Sequence, residues 1–388
     1  MTGTNSLNLE HFGMHPERGF LPVKDPLTSL PEEFSYLDSF GLQLPGLIKQ
    51  GMVHTLAKDI PIPSRKRLCS LDGPVMQLAW MRYAFIQSAL VHGQQTSNKI
   101  CKNVALPMYW LSKFMNKPPI LSYDAYVLSN WKRKDPNGPI KVDNLKLIQT
   151  FINDSDQAWF ILIHVDIEYE AATAIRNLAE AVSAAAEEKA EERRSIDDVE
   201  NIIEHALFNV DKALGNMITT MKRMTEGASP DKYYKIRPWI MYFENVLYEG
   251  VREYDGRPQS FRGQTGAQTS IFQSLEAGLQ MPPMESNELA EYLKEMRLYM
   301  PLGHRHFIKK IEDISNIRSF IECQAPRLAG IYNDCVDKVC DFLDMHLQYA
   351  IVFILNKTSN PKGTGGSEFM KYLKSRLNER RARAYLKI

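Results

Sequence analysis

A single histidine, His346, has the sequence setting of a metal ligand in this chain of 388 residues. It lies on the apolar stripe of a predicted helix, because hydrophobic residues recur around it at spacings of three and four. The stripe consists of Val339, Phe342, Leu343, Ala350, Phe353 and Ile354. A neutral imidazole nitrogen on a rigid helix can be the axial ligand of a haem iron. The same spacing also fits a core histidine that is satisfied by a hydrogen bond.

The second half of the chain is predicted to supply the helices that position this histidine. After a polar break at residues 153–155, the composition is helical and is predicted to remain so to the end. The predicted helices cover residues 157–194, 195–224 with Ser195 as its cap, 238–248, 270–279, 287–299, 304–322 and 328–355. The basic stretch at residues 376–383 is interpreted as a solvated helix face.

The first half is predicted to be smaller and less regular. Seven prolines interrupt residues 22–74, and only short periodic stretches such as residues 76–91 lie between breaks. The run at residues 131–139 combines charges with turn formers, which predicts an exposed loop. We therefore expect a mainly α protein, with a smaller, irregular N-terminal domain at residues 1–152 and a large all-helical domain at residues 153–388.

Composition and charge disfavour several functional classes. Lys and Arg total 47 and Asp and Glu total 46, so charge gives no argument for nucleic acid or a membrane surface as partner. Residues 1–9 lack a secretory pattern, and the apolar stretch at 350–355 is too short to span a bilayer, which predicts a cytoplasmic enzyme. The five cysteines show no CxxC pairing and are interpreted as reduced thiols. The glycine-bearing loops at 261–270 and 362–367 follow no predicted strand, which disfavours nucleotide binding.

Six short words occur in order along nearly the whole chain. They are GFLP with DPL at residues 19–27, YVLSNWKRKDPN at 126–137, SFRG continuing to QTSIFQ at 260–273, YMPLGHR at 299–305, MHLQ at 345–348 and KGTGG at 362–366. With these words the chain resembles the indoleamine 2,3-dioxygenase family. The resemblance implies that the helical domain binds haem b, with His346 as the proximal iron ligand. It also implies a cytosolic enzyme that opens the indole ring of L-tryptophan or a related indole to N-formylkynurenine, using dioxygen and an external reductant.

The resemblance also assigns the contacts to the substrate. Phe160 and Tyr123 match aromatic residues that hold the indole, and Arg237 matches the arginine that binds the carboxylate through a planar, two-pronged contact. The full predicted set is Tyr123, Phe160, His164, Tyr233, Arg237, Gly263, Thr265 and Thr364. Thr265 is the predicted acceptor for the ammonium group. Without the family, Phe160 fits a core position, Arg237 a surface salt bridge, and the loop at 263–266 a flexible connector.

Two positions depart from the family pattern. His164 falls where the mammalian enzymes carry a small distal serine, and Tyr233 and Tyr234 are offset by one residue from the usual aromatic pair. Tyr233 is the safer match. A distal histidine is similar to that of the tryptophan 2,3-dioxygenases, where it accepts the indole N–H. Three roles for His164 therefore stay open: an indole N–H acceptor with a catalytic role beside Arg237, a sixth iron ligand, and a core histidine bonded to a carbonyl.

Two other functions compete with tryptophan dioxygenation. One is a related oxygenase that acts on a modified indole or inserts a single oxygen atom. The other is a haem or gas-binding protein without turnover, in which His164 binds the iron.

Overall fold

The computed structural model describes residues 7–93, 97–189, 195–282, 287–357, 362–366 and 384–386. These residues form a mainly α protein, as predicted. The helices are α1 (Ser35–Gln50), α2 (Val53–Leu56), α3 (Arg65–Leu68), α4 (Gly73–His92), α5 (Lys102–Met115), α6 (Ser155–Lys189), α7 (Ile196–Lys222), α8 (Met224–Gly227), α9 (Pro230–Ile236), α10 (Ser270–Gly278), α11 (Asn287–Arg297), α12 (Leu302–Ile314), α13 (Ile317–Cys323) and α14 (Ala329–Phe353). The strands are β1 (Lys99–Ile100), β2 (Lys132–Arg133), β3 (Leu145–Lys146), β4 (Phe243–Tyr248) and β5 (Gln259–Phe261).

Three long helices build the core that carries His346. The backbone N–H of Asp156 bonds the Asp154 carboxylate at 2.8 Å at the start of α6, and Ser195 caps α7 as predicted. α7 packs against both α6 and α14. Its buried residues recur at helical spacing, as in Ile203, Leu207 and Val210. This packing fixes the helix on which His346 lies.

One helical segment in the described part of the chain, residues 326–357, is long and apolar enough to cross a membrane by length and composition. The expectation that no apolar stretch is long enough was therefore wrong. In this structure the segment contains α14, which buries residues such as Val336, Val339 and Leu343 against the core. Such burial is what the central helix of a folded domain requires.

The predicted helix at residues 238–248 is wrong, and so is the description of the C-terminal part as all-helical. Residues Arg237–Ile240 form a short 3-10 turn, and β4 follows. Phe243 and Val246 are buried while Asn245 has a positive φ of 55°, which a continuing helix does not allow. β4 pairs in parallel with β1 and antiparallel with β5, so the sheet joins both sides of the predicted boundary at residue 152.

The predicted helix at residues 304–322 is divided into α12 and α13. Ser315 donates to the Gly278 carbonyl at 2.6 Å, and Asn316 donates to the Ala185 carbonyl at 3.0 Å. These bonds to α10 and α6 compete with the helical backbone pattern and end α12.

Two predictions for the N-terminal part also need correction. α4 is a regular helix of 20 residues with a capping bond from the Val75 N–H to Asp72, and nearly all of residues 76–91 are buried. Trp131 does not lie in an exposed loop: it is fully buried, and its Nε1 donates to the Leu128 carbonyl at 2.8 Å. Arg133 in β2 donates to Asp25 at 2.7 Å, so the basic run helps to hold the fold.

The glycine-bearing loop at residues 261–270 does follow a strand, contrary to prediction. β5 ends at Phe261, two residues before Gly263. This strand has three residues and pairs antiparallel with β4, whereas a dinucleotide site needs a parallel βαβ unit. The last residues of the helix predicted at 157–194, which are residues 190–194, lie outside the described residues. The basic stretch at residues 376–383 also lies outside them.

Candidate active site

Two histidines from different helices line one cavity. His346 comes from α14 and His164 comes from α6. Burial lowers the pKa of His346 to about 4, and the nearby His164 lowers it further. Burial also lowers the pKa of His164. Both imidazoles are therefore neutral at pH 7, and each keeps one nitrogen lone pair for a metal or a hydrogen bond.

The wall around His346 is apolar. Phe342, Leu343 and Ala350 of the same helix line the cavity beside it. Among the residues that the structure describes, none forms a hydrogen bond with the His346 ring. By contrast, His304 lies 3.2 Å from the Ser270 hydroxyl, and His306 is exposed. Of these three histidines, His346 has the setting of an axial metal ligand.

Among the described residues, His164 bonds through only one of its two ring nitrogens. Its Nδ1 lies 2.7 Å from the Phe160 carbonyl, one helical turn earlier. A carbonyl oxygen can only accept, so Nδ1 carries the proton and Nε2 keeps a lone pair. The predicted bond to a carbonyl is therefore present, but it leaves His164 able to accept a hydrogen bond or bind a metal through Nε2.

An aromatic cluster forms one end of the cavity. The ring centroids of Phe160 and Tyr233 lie 4.5 Å apart, and those of Tyr233 and Phe353 lie 5.7 Å apart. Tyr123 also lines the cavity. Tyr233 is buried while Tyr234 is 37% exposed, which supports Tyr233 as the family match. The cluster provides flat apolar faces of the kind that an indole ring packs against.

Arg237 is buried beside the cavity but does not line its wall. Its guanidinium donates to the carbonyl of Lys362, and its Nε has no partner in the described chain. Within these residues no carboxylate pairs with Arg237, so it is not the surface salt bridge that the residue alone suggested. Lys362 precedes Gly363 and Thr364, which do line the cavity. The structure therefore brings Arg237 to the end of the cavity formed by this segment.

The loop at residues 263–266 closes the cavity opposite α14. A Cβ on Gly263 would lie within 2.5 Å of the backbone oxygens of Ile240 and Thr364, so only glycine fits this contact. Thr265 lines the cavity, and its hydroxyl accepts from the Ala267 N–H at 3.4 Å. The structure thus brings Thr265 and Thr364 together around the same space, whereas Gly263 packs against the backbone and does not line the cavity.

Two buried polar residues beside the predicted set were missed. Glu168 lies one turn beyond His164, and Thr269 donates to its Oε1 at 2.7 Å. Burial raises the pKa of Glu168 to about 7, against the lowering effect of hydrogen bonds with Thr269 and Tyr123. Gln264 lies between Gly263 and Thr265 and lines the cavity. The four-residue spacing from His164 could have indicated Glu168, and the position of Gln264 within the predicted loop was a signal for that residue.

Comparison with known proteins gives one consistent result. The family model described as indoleamine 2,3-dioxygenase matches residues 8–362. The chain is 30% identical over 396 residues to indoleamine 2,3-dioxygenase 1 of Rattus norvegicus, covering 95% of this chain and 93% of that protein. It is 25% identical over 406 residues to indoleamine 2,3-dioxygenase acdA of Aspergillus candidus, covering 96% of each. The chain therefore belongs to the indoleamine 2,3-dioxygenase family of oxidoreductases.

Proposed function

We propose that the protein is a haem-dependent dioxygenase that converts L-tryptophan to N-formylkynurenine. The observation that carries this proposal is the pair of neutral histidines in one largely apolar cavity, where none of the described residues forms a hydrogen bond with His346 or with Nε2 of His164. Such an arrangement suits a planar cofactor held by His346, with space for a substrate on the His164 side.

The donor set fits haem, although the cavity must widen to hold it together with a substrate. His346 is the residue that would bind the iron, and apolar residues such as Phe272 and Leu343 would contact the macrocycle. The cavity is about 220 Å³, below the roughly 300–1,000 Å³ of typical ligand pockets. A Cβ on Gly266 would lie only 3.7 Å from His346 Nε2. We therefore expect the loop at 263–266 to move outward on loading.

Haem, when bound, supplies the iron chemistry that activates dioxygen. The chain's own residues orient the substrate and exclude water. Phe160, Tyr233 and Tyr123 hold the indole between apolar faces, and His164 Nε2 accepts its N–H. Arg237 exchanges the Lys362 carbonyl for the substrate carboxylate, which gives a stronger, charge-assisted contact.

The proposed reaction balances without another substrate. Both atoms of dioxygen enter the product, one on each of the indole carbons C2 and C3, while the bond between these carbons breaks. No net proton or electron is consumed, so an external reductant serves only to keep the iron ferrous. We further propose a cytoplasmic location without nucleic-acid or membrane partners, supported by the near balance of 47 basic and 46 acidic residues.

One assay tests the proposed reaction. Haem-loaded protein is mixed with L-tryptophan, ascorbate and a redox mediator under air, and the absorbance of N-formylkynurenine is followed. The mass of the product is then measured, because gain of two oxygen atoms indicates dioxygenation and gain of one indicates insertion into the indole. If the fully loaded protein gives no product from L-tryptophan but converts a modified indole, then the modified indole is the substrate.

A second function is favoured by the open Nε2 of His164. In a haem or gas-binding protein without turnover, this nitrogen would hold the iron together with His346. The ferric absorption spectrum separates the two functions. A low-spin spectrum that L-tryptophan does not change would favour the second, whereas a high-spin spectrum that responds to L-tryptophan would favour the dioxygenase.

A further inference from the structure

Gln264 is a largely buried residue whose side-chain amide has no partner in the described chain. The residue lines the cavity and is 6% exposed. None of the residues that the structure describes donates to this amide or accepts from it. An amide loses its hydrogen bonds to water on burial, and leaving it unpaired is unfavourable. A ligand in the cavity can therefore supply the hydrogen bonds that the described chain does not.

Two other buried glutamines of the same segment are used differently. Gln268 accepts from the Tyr123 N–H at 2.9 Å and donates to the Gly263 carbonyl at 2.9 Å. Gln273 donates to the Leu293 carbonyl at 3.4 Å and accepts from the Arg297 guanidinium. Both amides hold the fold together. Gln264 forms no such bond with any described residue, although it lies only four residues from Gln268.

The cavity wall determines which group of an amino acid would bind Gln264. Arg237 is the buried cation available for a carboxylate, whereas no Asp or Glu lines the cavity in the described part of the chain. Among the described residues, only neutral oxygens therefore remain to bind an ammonium group. The Thr265 hydroxyl already accepts from a backbone N–H, and the Thr269 hydroxyl donates to Glu168. The Gln264 Oε1 is an uncommitted amide oxygen on this loop.

We propose that Gln264 is a specificity-determining residue whose Oε1 accepts a hydrogen bond from the α-ammonium group, an assignment that rests on the amino-acid substrate proposed above. The carboxylate and the ammonium are thus bound by different residues. Arg237 recognises the first and Gln264 the second. Indole ligands that lack an ammonium group do not benefit from Gln264.

The test removes the amide and compares three ligands on the haem-loaded protein. Dissociation constants of L-tryptophan, tryptamine and indole-3-propionate are measured by calorimetry for the parent and for Gln264→Leu. Tryptamine lacks the carboxylate, and indole-3-propionate lacks the ammonium. We expect Gln264→Leu to weaken L-tryptophan and tryptamine by about tenfold, the size of one hydrogen bond to a charged group, and to leave indole-3-propionate unchanged.

A matched control separates recognition from stability. Gln87→Leu removes a buried amide that donates to the Pro119 carbonyl at 3.0 Å and does not line the cavity, so it should lower the thermal midpoint without changing the relative affinities of the three ligands. Gln264→Leu should leave the midpoint of the ligand-free protein unchanged. Equal effects on all three ligands, or no effect, would overturn the role of Gln264 alone. If the parent binds indole-3-propionate but not L-tryptophan, the proposed amino-acid substrate fails as well.

Discussion

Arg82 and Arg237 are both buried arginines, but their surroundings differ. Arg82, in α4, pairs with Asp38 at 3.0 Å and also donates to the side chain of Gln149. Arg237 donates to one backbone carbonyl and has no carboxylate partner among the described residues. The first is a completed ion pair inside the N-terminal part. The second is a buried positive charge left without a counter-ion beside the cavity.

The contrast extends to other buried polar groups. In the N-terminal part Lys117 pairs with Asp124, which also accepts from Ser122. At the cavity, His346 and Gln264 lack such partners in the described chain. Buried polar groups that satisfy each other stabilise a unique packing, whereas unsatisfied ones are unfavourable unless a ligand binds them. We therefore expect mutations in the first region to change stability and mutations in the second to change binding.

The largest expected effect is the loss of haem from His346→Ala. Without the His346 nitrogen, only apolar contacts and contacts to the haem propionates would hold the macrocycle. The protein should remain helical by circular dichroism while the haem absorption falls to background after desalting. His306→Ala is the matched control, since His306 is exposed. A His346→Ala protein with full haem content and an unchanged ferrous spectrum would show that His346 is not the iron ligand.

The two arginines should separate stability from binding. Arg82→Met leaves Asp38 without its partner and should lower the free energy of unfolding by about 3–5 kcal/mol.

Arg237→Lys should change stability little, but it should weaken L-tryptophan binding by about 2 kcal/mol because lysine lacks the two-pronged geometry. Denaturation and calorimetry measure the two quantities. Tryptamine should be indifferent to Arg237→Lys, and an equal loss for both ligands would contradict the carboxylate role.

Glu168 is a buried acid without a cationic partner among the described residues, and its burial makes stability depend on pH. Burial raises its pKa from 4.5 to about 7 in the folded protein. The folded state therefore holds a proton that the unfolded state has lost, and stability falls as pH rises from about 4.5 to 7. Glu168→Gln mimics the protonated acid. It should increase the free energy of unfolding at pH 8 by about 3 kcal/mol and leave that at pH 4 nearly unchanged. Urea denaturation at both values measures this, and equal effects at the two values would contradict it.

The sequence predicted the helical framework because the long helices carry strong local signals. α6, α7 and α14 have apolar stripes at helical spacing, and Ser195 is a capping residue. The segment at 238–248 was assigned to the wrong class because β4 exists only through pairing with β1 and β5, which lie far away in sequence. The break at Ser315 likewise depends on bonds to distant helices.

The candidate site was predicted only in part, because local patterns indicate some of its residues while contacts between distant residues decide the others. His346 stood out from its apolar stripe, whereas Phe160, Arg237 and the loop residues were selected only through the family resemblance. The open amide of Gln264 could not be seen in the sequence, because the neighbouring Gln268 and Gln273 have the same side chain and differ only in their contacts. Partner groups, rather than residue type, decide whether a buried polar side chain is free to bind a ligand.

The smallest expected effect concerns His164. One of its ring nitrogens is bonded within the described chain, as in the N-terminal part, and the other is open to the cavity. If Nε2 accepts the indole N–H, then 1-methyl-tryptophan loses this bond and adds bulk against the ring. His164→Ser should keep haem, weaken L-tryptophan binding by about 1 kcal/mol and accept the methylated ligand relatively better. Affinities of both ligands for the parent and the variant measure the change in preference. An unchanged preference would eliminate the acceptor role. A switch from low-spin to high-spin ferric iron in the variant would instead identify Nε2 as the sixth ligand, since the Phe160 carbonyl occupies Nδ1 in either case.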